Sequence, residues 1–439
     1  MTSSTPTSFD TPGMESRPRG TSNIRWVVCG LLFLATTINY MDRSVFSLIE
    51  PKLHDLPFMG WSNANPSVFN NNFGNVLICF QIVYGMGFLV AGRVIDKLGT
   101  KAGYALAIGI WALASMSHAL VGSVLGFCVA RSVLGLGESG NFPAALKAVS
   151  EWFPTEERAL ATGIFNSGTN LAALIAPVLI PFVTFKYGWH AAFLTTGSMG
   201  SLWLILWLIF PYEKMRAKHG LEPSKHAYHS MLSLLRTRRA WAFVIGKGLT
   251  DGVWWFYLFW LPKYFHENYG VDMLHLGPPI ITVYFASSVG SIFGGWLSGS
   301  RMKVGHSVNY GRKFAMLICA LAVQPLMLVP FLHTHFPGNM WPAVAIIGLA
   351  AAAHQGWSAN IFSTPSDMFD STAVSTVVGI GGASGALGGA IFTYIVKGMW
   401  TSHPLFIFVI AALAYPAALG IFQLLVPHLQ SARTEAESI

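Results

Sequence analysis

Four ionisable residues lie inside stretches otherwise too apolar to carry them: Asp42 and Arg43 in the first of a series of apolar runs, Arg131 and Glu138 in the fourth. Charge within a bilayer is expensive and is kept where it binds a solute or passes a proton. Arg131 and Glu138 are 138 − 131 = 7 residues apart, two helical turns, so both point along one face. Asn39 and Arg43 share a stripe at i, i+4, while Asp42 sits about 100° round the helix from Arg43 and addresses a different neighbour. A guanidinium can grip a carboxylate with two donors. A carboxylate beside it can exchange its charge for a proton, so the set suits an anion carried together with protons. The alternative, two buried salt bridges that merely hold helices together, is the weaker reading because buried pairs stabilise less than apolar packing.

Lys247 and Asp251, also i, i+4, read as a neutralised structural pair near the end of the seventh run, and Glu50, just before Pro51, as an interfacial residue. Tyr40, Tyr84, Asn166, Thr169, His354, Gln355, Ser358 and Asn360 add hydroxyl, amide and imidazole groups to the same runs. Any one of them alone reads as an interhelical hydrogen bonder.

The elements that position these residues must be membrane helices. Hydrophobic residues make up 53% of the chain and charged ones 10%, against roughly a quarter charged in a soluble protein. Apolar runs of about 20 residues, the length of a helix crossing a bilayer, fall near 25–50, 72–92, 102–122, 124–149, 159–184, 190–212, 240–264, 276–300, 313–333, 340–362, 374–397 and 402–427. The alternating ten-residue segments of a membrane barrel are missing. The expected fold is therefore all-α: residues 1–22 as a polar tail rather than a signal peptide, a six-helix bundle over 23–212, a linker over 213–239, a second six-helix bundle over 240–428, and a tail over 429–439.

Lys and Arg divide between alternate loops. Arg93, Lys97, Lys101, Lys147, Arg158, the basic linker, Arg301, Lys303, Arg312 and Lys313 fall on one side, and only Lys52, Lys186, Lys263 and Lys397 on the other. The positive-inside rule then places both termini and the linker in the cytoplasm, in a bacterial inner membrane. The net charge of +8 is accounted for by topology, with no basic soluble domain to bind nucleic acid. Cys29, Cys79, Cys128 and Cys319 all lie in apolar runs without ligand spacing, so neither a metal nor another cofactor is expected. No nucleophile with its base, HExxH, GxSxG or P-loop signals an enzyme. Mixed acid–base pairs also argue against a channel. Glycines concentrated over 379–389 suit close helix packing.

The stretch Gly92-Arg-Val-Ile-Asp96-Lys97-Leu-Gly99-Thr-Lys101, between the second and third spans, resembles the loop signature of the major facilitator superfamily, as does Arg131-x-x-x-Gly135-x-Gly137-Glu138 in the fourth. Asn39-Tyr40-x-Asp42-Arg43 and Trp152-Phe153-Pro154-x-x-Glu157-Arg158 are similar to the anion:cation symporter family. Glu138-Ser-Gly-Asn-Phe-Pro, Leu249-Thr-Asp251-Gly-Val-Trp-Trp-Phe-Tyr257 and Ala353-His354-Gln355 resemble its bacterial hexuronate transporters.

The resemblance implies a twelve-helix fold around a central cavity and proton-coupled uptake of glucuronate or galacturonate by a monomer. Arg43 and Tyr84 would bind the carboxylate, Asn166 and Thr169 the sugar, and Tyr40, His354, Gln355, Ser358 and Asn360 would complete the site. Asp42 and Glu138 would handle protons with Arg131 timing release, and Gly92, Asp96, Lys97 and Gly99 would form the gating loop. Thr169 stands where galactonate carriers have Gln, and Gly382 where they have Asn. The second-half loop, 295–313, keeps Arg312 and Lys313 without a counterpart of Asp96. A carrier of an aldonate, aldarate or other organic anion, or a sensor on the same scaffold, is the alternative.

Overall fold

The computed structural model describes residues 23–62, 66–153, 155–218, 231–369 and 371–429, with the side chains of 96, 155–160, 371, 372 and 375 excepted. The expected tail at 1–22, residues 219–230 of the linker and residues 430–439 lie outside the described residues. So does the side chain of Asp96, and nothing further is drawn from that part of the gating motif.

Among the described residues the chain is helical, and its long helices trace twelve spans. In the first half these are α1 (Ile24–Leu48), α2 (Ser67–Leu98), α3 (Thr100–Ser117), α4 (Val124–Glu138) continued by α5 (Asn141–Trp152), α6 (Thr155–Asn166) continued by α7 (Gly168–Tyr187), and α8 (Trp189–Ile209). In the second they are α9 (Arg238–Tyr269), α10 (Gly277–Lys303), α11 (Val308–Val323) extended by a 3₁₀ turn and a short helix to His335, α12 (Trp341–Ile361), α13 (Ser371–Met399) and α14 (Pro404–Leu425). Nine described helical stretches are long and apolar enough to cross a membrane by composition alone. The fourth, seventh and tenth spans fall outside that set, and they carry Arg131 and Glu138, Lys247 and Asp251, and His354 with Gln355.

Two spans expected to be continuous are interrupted. The fourth breaks at Ser139–Gly140, directly after Glu138, where a Cβ on Gly140 would lie 2.7 Å from that of Ala107. Pro143 then tolerates its missing N–H because it falls in the first turn of α5. The fifth breaks at Ser167, and a Cβ on Gly168 would lie 2.5 Å from the Phe33 carbonyl oxygen, so α1 and α7 touch backbone to backbone. The gating motif between the second and third spans is scarcely a loop. α2 runs on through Gly92 and Lys97 to Leu98, and the turn is Gly99 alone, at φ +81, a backbone conformation that favours glycine.

The two halves meet along two seams, α2 against α13 and α7 against α10. Small residues carry the first seam: a Cβ on Gly85 would lie 3.1 Å from that of Ala386. Within the halves the same device recurs, with Gly135 set against the Phe80 carbonyl and Gly137 against the Trp111 amide nitrogen, where added Cβ atoms would lie at 2.7 and 2.6 Å. Gly137→Ala is therefore expected to cost about 1–3 kcal/mol through overpacking and to lower the thermal midpoint of the detergent-solubilised protein. Gly398→Ala, with nothing within 4 Å of the added carbon, should leave the midpoint unchanged.

Candidate functional site

Between the halves lies a cavity of about 910 Å³. It runs from Leu48, the last residue of α1, and Leu261, two residues before Lys263 on α9, to Arg93, Lys147 and Met231 on the side where the linker lies. Its first-half wall is made by Tyr40 and Arg43 of α1, Tyr84 and Phe88 of α2, and Asn166 and Thr169 at the join of α6 and α7. The second-half wall is made by Lys247, Asp251, Trp254 and Trp255 of α9, Tyr284 of α10, and His354, Gln355 and Ser358 of α12. Gly92 also borders the cavity, whereas Lys97 is exposed on the linker side.

Arg43 is the centre of this arrangement. Its Nε and Nη2 donate to the same oxygen of Glu138, Oε2, at 3.0 and 2.8 Å, while Nη2 also reaches Asn39 Oδ1 at 3.4 Å. Glu138 Oε1 is left buried with no hydrogen-bond partner among the described residues. Four rings surround the guanidinium: Tyr40 and Tyr84 at 4.6 Å, Trp255 at 5.2 Å and Phe80 at 5.5 Å. These are cation–π distances, and they fix the cation without neutralising it. Trp255 escapes the sequence reading. The signal was its place four residues beyond Asp251, on the same face of α9.

The 100° offset on α1 sends Asp42 away from the cavity. It accepts from Ser115 Oγ at 2.6 Å, behind α1, with its Oδ2 buried and unpartnered among the described residues. Arg131 also lies off the cavity, and no described carboxylate is in ion-pair contact with it. It donates instead to the Arg43 carbonyl at 3.4 Å and sits over Phe46 at 4.9 Å, with Nε and Nη2 unpartnered among the described residues. The expected partner of a carboxylate is thus Arg43 rather than Arg131 in this conformation, because Arg131's reach along α4 is filled by aromatic rings.

Thr169 Oγ1 donates to the Asn166 carbonyl at 2.9 Å, as the chain turns from α6 into α7. His354 is held by Tyr415, Nδ1 to OH at 2.7 Å, and stacked on Trp254 at 5.0 Å. Asn360 does not reach the cavity: its Nδ2 donates to the Gly294 and Gly356 carbonyls, both at 2.9 Å, and ties α12 to α10.

At the end away from the linker the two halves are clamped. Lys263 of α9 bonds Glu50 Oε1 of the first half at 2.7 Å and Glu267 at 2.6 Å, and both Lys263 and Glu50 are buried. Glu50 is therefore an inter-half partner and not the interfacial residue its place before Pro51 suggests. His54 Nε2 lies 2.9 Å from the same Glu50 oxygen, and Trp400 donates to Glu267 at 2.5 Å. Glu50, His54 and Glu267 bring ligand atoms within 4.8 Å of one another, but the Lys263 ammonium already supplies the cation there.

On the linker side each half has its own polar network, buried around Glu151 in the first and half-buried in the second. Glu151 accepts from Thr100, Tyr212 and Arg216 at 2.8, 2.8 and 3.0 Å, and Arg312 pairs with Asp367 at 3.0 Å. The second-half loop thus finds its acid on the short helix Thr364–Met368, far along the chain.

A two-half helical bundle enclosing a charged, aromatic cavity, clamped at one end, defines a membrane transporter, and a transporter is not an enzyme. The chain belongs to the Major Facilitator Superfamily, whose model matches residues 32–393. It is 28% identical over 394 residues to the hexuronate transporter of Escherichia coli K12, covering 86% of this chain and 88% of that protein. It is 29% identical to the galacturonate transporter of Dickeya chrysanthemi over 62% of this chain and 81% of that one. The solved D-xylose-proton symporter shares the fold at a TM-score of 0.70 and 17% identity, covering 91% and 97% of the two chains.

Lys263→Met leaves the buried Glu50 carboxylate without its lysine and is expected to destabilise the clamped form by about 3–5 kcal/mol. Adding Glu50→Gln should recover part of that loss in thermal unfolding of the detergent-solubilised protein.

Proposed function

We propose that this protein carries a hexuronate, glucuronate or galacturonate, into the bacterial cell together with protons, by alternating access of the cavity across the inner membrane. One observation carries the reading: among the described residues, the only contacts that neutralise Arg43 on the cavity wall come from a carboxylate, Glu138, held by two donors on one oxygen. A solute carboxylate entering the cavity competes with Glu138 for the same donors. A proton on Glu138 removes the competitor, so proton and anion bind better together than apart. By linkage the coupling is reciprocal, and a bound anion equally favours the protonated carboxyl. Asp42, on the far face of α1, is the second proton site, and Arg131 supplies the standing positive charge beside both. Similarity to hexuronate and galacturonate carriers supports the choice of solute.

In this reading the linker side is cytoplasmic, the clamp at Glu50, Lys263 and Glu267 closes the periplasmic side, and the conformation faces inward. Arg93, exposed at the linker-side border of the cavity, draws anions along the path. One chain supplies both walls of the cavity, so a monomer is sufficient.

Glu138→Gln mimics the protonated state. It is expected to abolish accumulation driven by a pH gradient in proteoliposomes while retaining exchange of labelled uronate at equal pH. Accumulation against the gradient with unchanged pH dependence would remove Glu138 from the coupling role. Arg43→Lys should weaken uronate binding about tenfold, or 1.4 kcal/mol, because an ammonium lacks the two-pronged geometry. A competition panel in which galactonate displaces label tenfold better than either uronate would replace the hexuronate by an aldonate.

A further inference from the structure

Lys247 and Asp251 stand outside the chemistry assigned so far, and their spacing suggests nothing more than a structural pair. Their placement points elsewhere. Both line the same cavity as Arg43, on the opposite half of the molecule. An i, i+4 pair adds only about 0.3–0.5 kcal/mol to a helix, too little to offset burying two charges. Lys247 Nζ lies 2.9 Å from Asp251 Oδ1 and 2.6 Å from Oδ2, so the carboxylate spends both oxygens on one ammonium. An ammonium has three donors and a carboxylate about four acceptor positions, and the pairing leaves some of each over.

The surroundings hold this pair in place. The Phe362 ring lies 3.8 Å from Lys247 Nζ and orients the ammonium. Gly385 of α13 has no side chain where one would strike the Asp251 carboxylate, its Cβ falling 3.0 Å from Cγ. Gly252 faces Gly388, with an added Cβ 2.9 Å from the Gly388 carbonyl oxygen. The glycines over 379–389 thus bring α13 onto α9 at the charged pair.

We propose that the Lys247–Asp251 pair reads the hydroxyls of the sugar acid, the ammonium donating to one hydroxyl oxygen while the carboxylate accepts from its neighbour. This rests on the hexuronate reading. An intact ion pair has no net charge, so it suits a neutral vicinal diol and disfavours a second carboxylate, which would meet Asp251. Spacing fits as well. Trp255, 5.2 Å from Arg43, is one helical turn, about 6 Å of rise, from Asp251, so the pair lines the cavity one turn along α9 from the ring that covers Arg43. The solute then bridges the two halves, with its carboxylate on α1 and its hydroxyls on α9.

The test compares galacturonate with oxane-2-carboxylate, the same ring acid without hydroxyls, by equilibrium binding to the full chain in nanodiscs. The wild type should bind galacturonate at least tenfold more tightly. Lys247→Gln/Asp251→Asn, which removes the charges without stranding either one, should weaken galacturonate at least tenfold and leave oxane-2-carboxylate within twofold. Retained binding of the latter also reports an intact fold. Asp251→Asn alone should shift the ratio in the same direction. The exchanged pair Lys247→Asp/Asp251→Lys keeps an ion pair but reverses donor and acceptor, and should also lose galacturonate selectively. Equal weakening of both ligands, or wild-type affinity for both in the exchanged pair, would show a merely structural pair and overturn the proposal. A wild type that binds oxane-2-carboxylate but not galacturonate would overturn the hexuronate reading, and this proposal with it.

Discussion

Burial of Arg43 against Glu138 is the constraint on which the rest of this structure depends. A guanidinium in the middle of a membrane needs a counter-charge, an aromatic surround and exclusion from lipid, and here each comes from a different helix. Glu138 arrives from α4, Tyr84 and Phe80 from α2, and Trp255 from the other half of the molecule. The pair is satisfied from one side only, with one carboxylate oxygen left over. Buried polar atoms without partners are rare in static proteins.

Close helix contacts make that burial feasible. Gly135 and Gly137 flank the turn leading to Glu138 and let α4 lie against the backbones of α2 and α3, so the carboxylate is delivered at the depth of Arg43. Beyond the turn at Ser139–Gly140, α5 carries Lys147 and Glu151 to the linker side. In the second half, glycines of α13 serve α9 in the same way. At these two places small residues keep neighbouring backbones clear of charged side chains.

The closed end and the open end use different physics. Away from the linker, a lysine shared between two glutamates joins the halves through buried charge, a contact whose strength depends on remaining dry. On the linker side each half closes its own network, Glu151 in one and Asp367 in the other, and among the described residues neither of these two reaches across. Breaking the clamp would therefore leave the internal network of each bundle intact.

Composition and spacing alone decide that this is a twelve-span helical membrane protein, and that Asp42, Arg43, Arg131 and Glu138 are its anomalous charges, because a bilayer penalises polarity residue by residue and the penalty is written locally. The 100° separation of Asp42 from Arg43 is likewise a property of one helix. Which charges meet is a different matter. Arg43 takes Glu138 while Arg131 takes none, Glu50 finds Lys263 across the halves, Arg312 finds Asp367, and Asn360 turns to a helix backbone rather than the cavity. Such pairings join residues tens to hundreds of positions apart. They depend on how far each helix slides and turns against its neighbours, which glycine contacts, breaks and crossing points set only once the bundle is assembled.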